Sequence, residues 1–202
     1  AGPSMRRIGL LGGSFDPVHE GHLGIAAGAR HLFSLDAVYF IPTGESYHKD
    51  PLTASGEDRL AMLEIALAER GGFEISTCDI DRPGPTYTID TLRDMRLAEP
   101  EGMFFLIMGS DAFEGILQWK DIAEISQQAY FLVELRKGHQ KERIQALMEA
   151  FPQYFEGKVL LYEWPVPDIR STFMREGRWK KRYLPKGVLK YIREKGLYGQ
   201  SS

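Results

Sequence analysis

His19 and His22 stand three residues apart across Gly21, in the string GGSFDPVHEGH of residues 12–22. Residues three apart on a helix share a face, so the two imidazoles point the same way. Such a pair can ligate a metal, move protons or donate to an anion. The neighbouring residues favour the anion. The string follows the apolar run IGLLG, and Gly12 and Gly13 remove side chains where the backbone must approach a ligand. Asp16 is predicted as a helix N-cap and Pro17 as the first helical residue. That start would set amides and the positive end of a helix dipole beside both histidines. Competing chemistries lack their spacing. A zinc helix prefers H-E-x-x-H, and neither G-x-G-x-x-G nor G-x-x-x-x-G-K-[ST] occurs here.

The composition bounds what the anion can be. With 202 residues, 43% hydrophobic and 26% charged, the chain has the balance of one well-buried globular domain. A net charge of −3 argues against a general nucleic-acid surface, so an anionic ligand must sit in a local basic pocket. Cys78 is the single cysteine, which excludes internal disulfides and cysteine-rich zinc sites and fits a reducing cytoplasm. Neither a membrane-length apolar run nor a signal peptide is visible, so no membrane partner is expected. Residues 1–4, AGPS before Met5, read as an expression scar. The expectation is one domain over 5–202, with 165–202 as a helical C-terminal segment. A homo-oligomer is not readable from the sequence.

Those histidines need elements to hold them. Short apolar runs alternate with amphipathic stretches: RRIGLLG, a helix from Pro17 to about Phe33, AVYFIP, EDRLAMLEIALAER, FEISTCDI and YTIDTLRDMR. MFFLIMG, YFLVEL, KERIQALMEAF and KVLLYE continue the pattern. Apolar runs between helices read as buried parallel strands with crossover helices. The prediction is a doubly wound α/β fold with a mainly parallel sheet of five or six strands. Ligands bind beyond the carboxyl ends of such strands, where Gly12 and Gly109 fall. Ser55 and Asp58 form a capping box, and Pro185 and Gly196 bracket a last helix.

The eleven-residue string resembles the H-x-G-H signature of the nucleotidyltransferase superfamily. A second element, IRSTFMR, is similar to the superfamily's I-S-S-T-x-x-R, with Ile169, Ser171, Thr172 and Arg175 at matching positions. Ser171 and Thr172 would open a helix, with Arg175 about one turn on. Three further stretches resemble bacterial nicotinate-nucleotide adenylyltransferases: PTYTIDTL (85–92), IMGSDAFEGILQWKDI (107–122) and YHKD (47–50). The ending LYG (197–199) is familiar there too. The chain departs from the pattern at Arg170, where serine is usual, at RKG (136–138) in place of R-P-G, and in a 43–49 loop without prolines.

The resemblance implies a Rossmann-like nucleotidyltransferase fold and adenylyl transfer from ATP to nicotinate mononucleotide. It implies direct in-line attack, without a covalent intermediate, and Mg²⁺ carried mainly on the phosphates. Within it, His19, His22 and Arg175 are the catalytic group. Gly12, Gly13, Ser14, Phe15, Gly109, Asp111, Ile169, Ser171 and Thr172 join them in binding ATP. Ser14, Phe15, His48, Lys49, Thr86, Tyr87, Trp119 and Lys120 are expected around the mononucleotide. A phosphopantetheine-type acceptor and a non-catalytic nucleotide sensor are the rival readings. Trp164, Trp179, His31, His139 and Cys78 carry no motif and read as structural, and the basic run 178–183 reads as a solvated face.

Overall fold

A computed structural model describes residues 5–44, 53–136, 141–178 and 180–201. His48, Lys49, Lys137, Gly138, His139 and Trp179 lie outside the described residues. The strands are β1 (Arg6–Gly13), β2 (Ala37–Pro42), β3 (Phe73–Ile75), β4 (Gly102–Gly109), β5 (Ala129–Glu134) and β6 (Val159–Tyr162). They form one parallel sheet in the order β3-β2-β1-β4-β5-β6. The order reverses between β1 and β4, as in doubly wound sheets. The helices are α1 (Glu20–Leu32), α2 (Gly56–Leu67), α3 (Cys78–Asp81), α4 (Thr88–Ala98) and α5 (Ser110–Glu114). They continue with α6 (Ile122–Gln128), α7 (Lys141–Ala150), α8 (Pro152–Phe155), α9 (Ser171–Arg175) and α10 (Val188–Lys195). No described helix is long and apolar enough to cross a membrane.

The chain divides into two compact units. One comprises Ala1–Leu11, Ile25–Tyr39 and Tyr87–Trp164, and the other Gly12–Gly24, Phe40–Thr86 and Pro165–Ser202. In the first, Ile8, Leu10, Phe104, Leu106, Phe131 and Val133 are buried, because crossover helices cover both faces of central strands. Strand β4 pairs with β1 from Arg6↔Gly102 to Leu10↔Leu106 and with β5 from Phe104↔Ala129 to Gly109↔Glu134. Phe113, Phe131 and Phe155 close this core with ring centroids 5.2–6.1 Å apart, mostly edge-on or tilted. In the second unit, α2 turns Arg59, Met62, Leu63, Ala66 and Leu67 inward at helical spacing. Its start is the predicted cap: Ser55 Oγ accepts from the Asp58 amide at 3.0 Å.

Away from the histidine turn, two predicted boundaries change. The run FEISTCDI splits into the short strand β3 and the single helical turn α3. The last helix starts at Val188 after Gly187, two residues beyond Pro185, and ends as expected on left-handed Gly196.

Glu134 ends β5 only 5% exposed, and its Oε2 has no hydrogen-bond partner among the described residues. Burial pushes its carboxyl above the ordinary range; Arg136 opposes this, while Glu163 and Asp111 add to it. A carboxyl that holds its proton more tightly in the folded chain makes stability fall as pH rises from the unfolded value through the folded one. Glu134→Gln removes that dependence. Any cost of the unpaired amide is the same at every pH. The Tm of the variant minus that of the wild type is therefore expected to grow by about 2 °C or more between about pH 4 and about pH 8. Thermal melts across that range check it, and a flat difference contradicts it.

Candidate active site

The predicted helix start is displaced. The helix begins at Glu20, not Pro17, and the Asp16–Pro17 peptide is cis. Asp16 is not an N-cap. Its carboxylate turns inward, 1% exposed, and accepts from the Thr53 amide (2.7 Å), the Ala54 amide (3.0 Å) and the Tyr198 hydroxyl (2.6 Å). A buried carboxylate needs such donors, and these three outcompete a cap that would satisfy only local amides.

The histidines use the amides of the same turn. The Gly21 amide donates to His19 Nδ1 at 3.0 Å, and the His19 amide donates to His22 Nδ1 at 3.1 Å. An amide always donates, so each Nδ1 must present its lone pair. The neutral imidazole therefore carries its proton on Nε2. The rings stack at 3.7 Å between centroids and 21° between planes. His19 is buried, whereas His22 is half-buried and meets the ring of Phe15 edge-on at 4.8 Å. Phe15 is itself wholly buried with a left-handed backbone, φ 48°, a conformation that costs a non-glycine residue about 1–3 kcal/mol. Packing against His22 and Phe40 holds it there.

Gly21 has a steric reason. A Cβ on it would lie 2.8 Å from His19 Cε1 and 2.9 Å from His19 Nδ1. The same closeness lets its amide reach that nitrogen.

The second predicted element joins this turn. Ile169 is buried, and α9 spans Ser171–Arg175 as expected. Ser171 Oγ donates to the Pro17 carbonyl at 3.1 Å, and Arg175 Nη1 donates to the Asp16 carbonyl at 3.1 Å. Thr172 is exposed, and so is Arg170, which precedes the helix without a side-chain cap. Gly12, Gly13 and Ser14 follow β1, with the Ser14 carbonyl accepting from Arg59 Nη1 at 2.9 Å. Thr86 Oγ1 accepts from the Gly44 amide at 3.0 Å. All these residues belong to the second unit.

The remaining predicted positions belong to the first unit. Gly109 ends β4, and Asp111 is exposed in the first turn of α5. Tyr87 precedes α4, and the Lys120 ammonium lies 4.7 Å over its ring. Trp119, half-buried, follows the short turn Ile116–Gln118. Among the described residues no cluster of three or more His, Cys, Asp or Glu could hold a metal.

Sequence reasoning missed two residues. Arg59 is 2% exposed, its Nε has no hydrogen-bond partner among the described residues, and burial lowers its pKa against the pull of Asp16 and Tyr198. The available signal was a charge on the apolar stripe of α2. Tyr198 offered only the familiar ending LYG.

Gly21→Ala tests the packed turn. The Cβ of alanine would drive into the buried His19 ring, an overpacking that typically costs about 1–3 kcal/mol and outweighs a helix-propensity gain of about 1 kcal/mol, so Tm is expected to fall. The His19 ring must move, and its imidazole ¹⁵N signals are expected to shift. Unchanged His19 signals contradict the steric role.

Most of the chain is similar to known proteins. The Cytidylyltransferase-like family matches residues 10–177. A curated relative from Neisseria meningitidis serogroup B, named "Probable nicotinate-nucleotide adenylyltransferase", is 39% identical over 199 residues, 96% of this chain and 99% of its own. One of the same name from Clavibacter michiganensis subsp. michiganensis is 43% identical over 202 residues, covering 98% of this chain and 96% of its own. The solved Plasmodium falciparum nicotinic acid mononucleotide adenylyltransferase, complexed with NaAD, has the same fold. Its TM-score is 0.74 at 22% identity, over 96% of this chain and 98% of that one. This chain belongs to the cytidylyltransferase-like family, and within it to the group of bacterial nicotinate-nucleotide adenylyltransferases.

Proposed function

We propose that this chain transfers the adenylyl group of ATP to nicotinate mononucleotide, giving nicotinate adenine dinucleotide and pyrophosphate. The observation that carries the reading is the stacked pair His19 and His22, each accepting a backbone amide at Nδ1, which leaves Nε2 as the donating nitrogen of the neutral ring. Two Nε2–H donors on one turn, with Arg175 tied to that turn, suit a polyphosphate. The names of relatives near 40% identity over nearly the full length support the substrates.

In this reading a phosphate oxygen of the mononucleotide forms a bond to the α-phosphorus of ATP. The bond from that phosphorus to the pyrophosphate oxygen breaks in line, and pyrophosphate leaves. The attacking phosphate is largely dianionic near neutral pH, its second pKa being about 6, so no general base is needed. Catalysis is positioning and charge stabilisation. His22 donates to the developing charge at the α-phosphate and His19 supports it. Arg175 and the start of α9 hold the β- and γ-phosphates.

Gly109 admits the nucleoside, Asp111 takes ribose hydroxyls, and Lys49 takes the mononucleotide phosphate. The donor set of the second unit suits anions, and both carboxylate oxygens of Asp16 are already occupied by donors. A Mg²⁺ ion would accordingly be held through the phosphates and water, where it neutralises charge on the departing pyrophosphate.

Trp119 stacks on the pyridine ring, and amides near Lys120 take its carboxylate. A carboxamide turns a donor toward one of those amides and leaves it unpaired, which costs about 1–3 kcal/mol before the lost charge is counted.

Pyrophosphate release with nicotinate mononucleotide, nicotinamide mononucleotide and phosphopantetheine as acceptors tests the reading. The acid is expected to exceed the amide by roughly 10²-fold or more in kcat/KM, with phosphopantetheine inactive. Equal rates for acid and amide, or transfer to phosphopantetheine alone, contradict the substrate. His22→Ala is expected to lower kcat by roughly 10²-fold or more, the scale of one preorganised donor. Near-normal turnover in a folded His22→Ala protein removes that residue from the mechanism.

A further inference from the structure

Beyond α10 the chain makes a left-handed turn that an unconstrained tail has no reason to adopt. Gly196 has φ 65°, Tyr198 φ 54° and Gly199 φ 73°. Glycine accepts that region freely, but tyrosine does not, so a contact must hold Tyr198 there. That contact is its hydroxyl, which donates to Asp16 Oδ1 at 2.6 Å with the side chain 9% exposed. Burial first, then the bond to Asp16, hold the phenol's pKa up, so it keeps its proton at working pH. The acceptor stands three residues before His19, and its own carbonyl receives Arg175.

We infer that Tyr198 is a positioning residue for the phosphate-binding turn, setting His19, His22 and Arg175 through the Asp16 carboxylate without touching substrate. This rests on the reading that the turn binds ATP. Asp16 has two further donors, the Thr53 and Ala54 amides, both on the approach to α2. Without the phenol, those two alone decide where the carboxylate sits. The residue bearing it would then be drawn toward them, and with it the carbonyl that orients Arg175.

A second tyrosine supplies the control. Tyr191, in α10 of the same unit, donates to Asp58 Oδ1, also at 2.6 Å, and that bond pushes its pKa up to about 12. Asp58 lies in the first turn of α2, and among the described residues nothing bonds its carboxylate to the histidine turn. Tyr198→Phe and Tyr191→Phe thus delete the same kind of bond, one attached to the turn and one not.

The experiment compares both variants with the full-length wild type by steady-state kinetics, thermal melts and imidazole ¹⁵N spectra without substrate. Tyr198→Phe is expected to lower kcat/KM for ATP about 10-fold or more, the low end for losing a hydrogen bond to a charged group. KM for the mononucleotide should stay within about two-fold, and the His19 and His22 signals should shift. Tyr191→Phe should lower Tm while leaving kinetics and histidine signals within about two-fold and unchanged, respectively. If Tyr198→Phe matches Tyr191→Phe, losing stability alone, Tyr198 is an anchor and the inference fails. Should Tyr198→Phe not fold, Gly199→Ala strains the same turn into open space. It is expected to lower kcat/KM for ATP by about two- to five-fold, a part of the full loss; unchanged kinetics overturn the inference. If the wild type transfers to no acceptor, the proposed function fails, and the histidine spectra still decide the role of Tyr198.

Discussion

The second unit is organised around one buried charge. An unpaired carboxylate inside a protein costs several kcal/mol, so Asp16 can be buried only where donors converge on it. They come from far along the chain: the Thr53 and Ala54 amides and the Tyr198 hydroxyl. Arg59 adds favourable charge from α2 while its Nη1 holds the Ser14 carbonyl. Satisfying Asp16 therefore brings together the glycine-rich loop, the entry to α2 and the end of the chain. Arg175 then joins through the Asp16 carbonyl. Removing one hydrogen-bond donor from a buried charge of this kind typically costs about 1.5–3 kcal/mol, so each donor weighs on how the arrangement sits.

What this organisation delivers is a fixed protonation pattern. The turn after Asp16 aims two backbone amides at the two Nδ1 atoms, and Gly21 is the residue that permits the first of those approaches. With Nδ1 accepting, Nε2 keeps the proton, and each imidazole is a donor rather than a nucleophile or a base. The turn that was expected to offer free amides to an anion spends them on its own histidines, and the imidazoles present the donors instead. The backbone therefore acts one step removed from any ligand, through the side chains it orients.

Central strands were legible because a strand buried on both faces must be an apolar run, and RRIGLLG, AVYFIP, MFFLIMG and YFLVEL each became one. The Ser55 cap was legible because it is local, whereas the helix that starts at Ser171 came from the family resemblance. The start of α1 was not. Asp-Pro fits the local rule for a helix start, but the carboxylate is claimed by partners 37, 38 and 182 positions away, which no local rule contains. The LYG ending was visible as a string, yet its purpose depends on a bond across nearly the whole chain. Arg59 showed only as a charge on an apolar stripe and went unread, because its partners, the Ser14 carbonyl and the Asp16 charge, lie in a distant loop. Resemblance, rather than spacing, supplied the substrate.

The central claim is that this protein positions donors and contributes no nucleophile to adenylyl transfer. It is tested most directly by the stereochemical course at the α-phosphorus. The substrate is ATP carrying a chiral α-phosphorothioate, with nicotinate mononucleotide as acceptor. One in-line displacement by the mononucleotide inverts that centre, and inversion is the result expected from imidazoles whose Nε2 atoms carry protons. Retention means two displacements through a residue of this chain, and it contradicts the account.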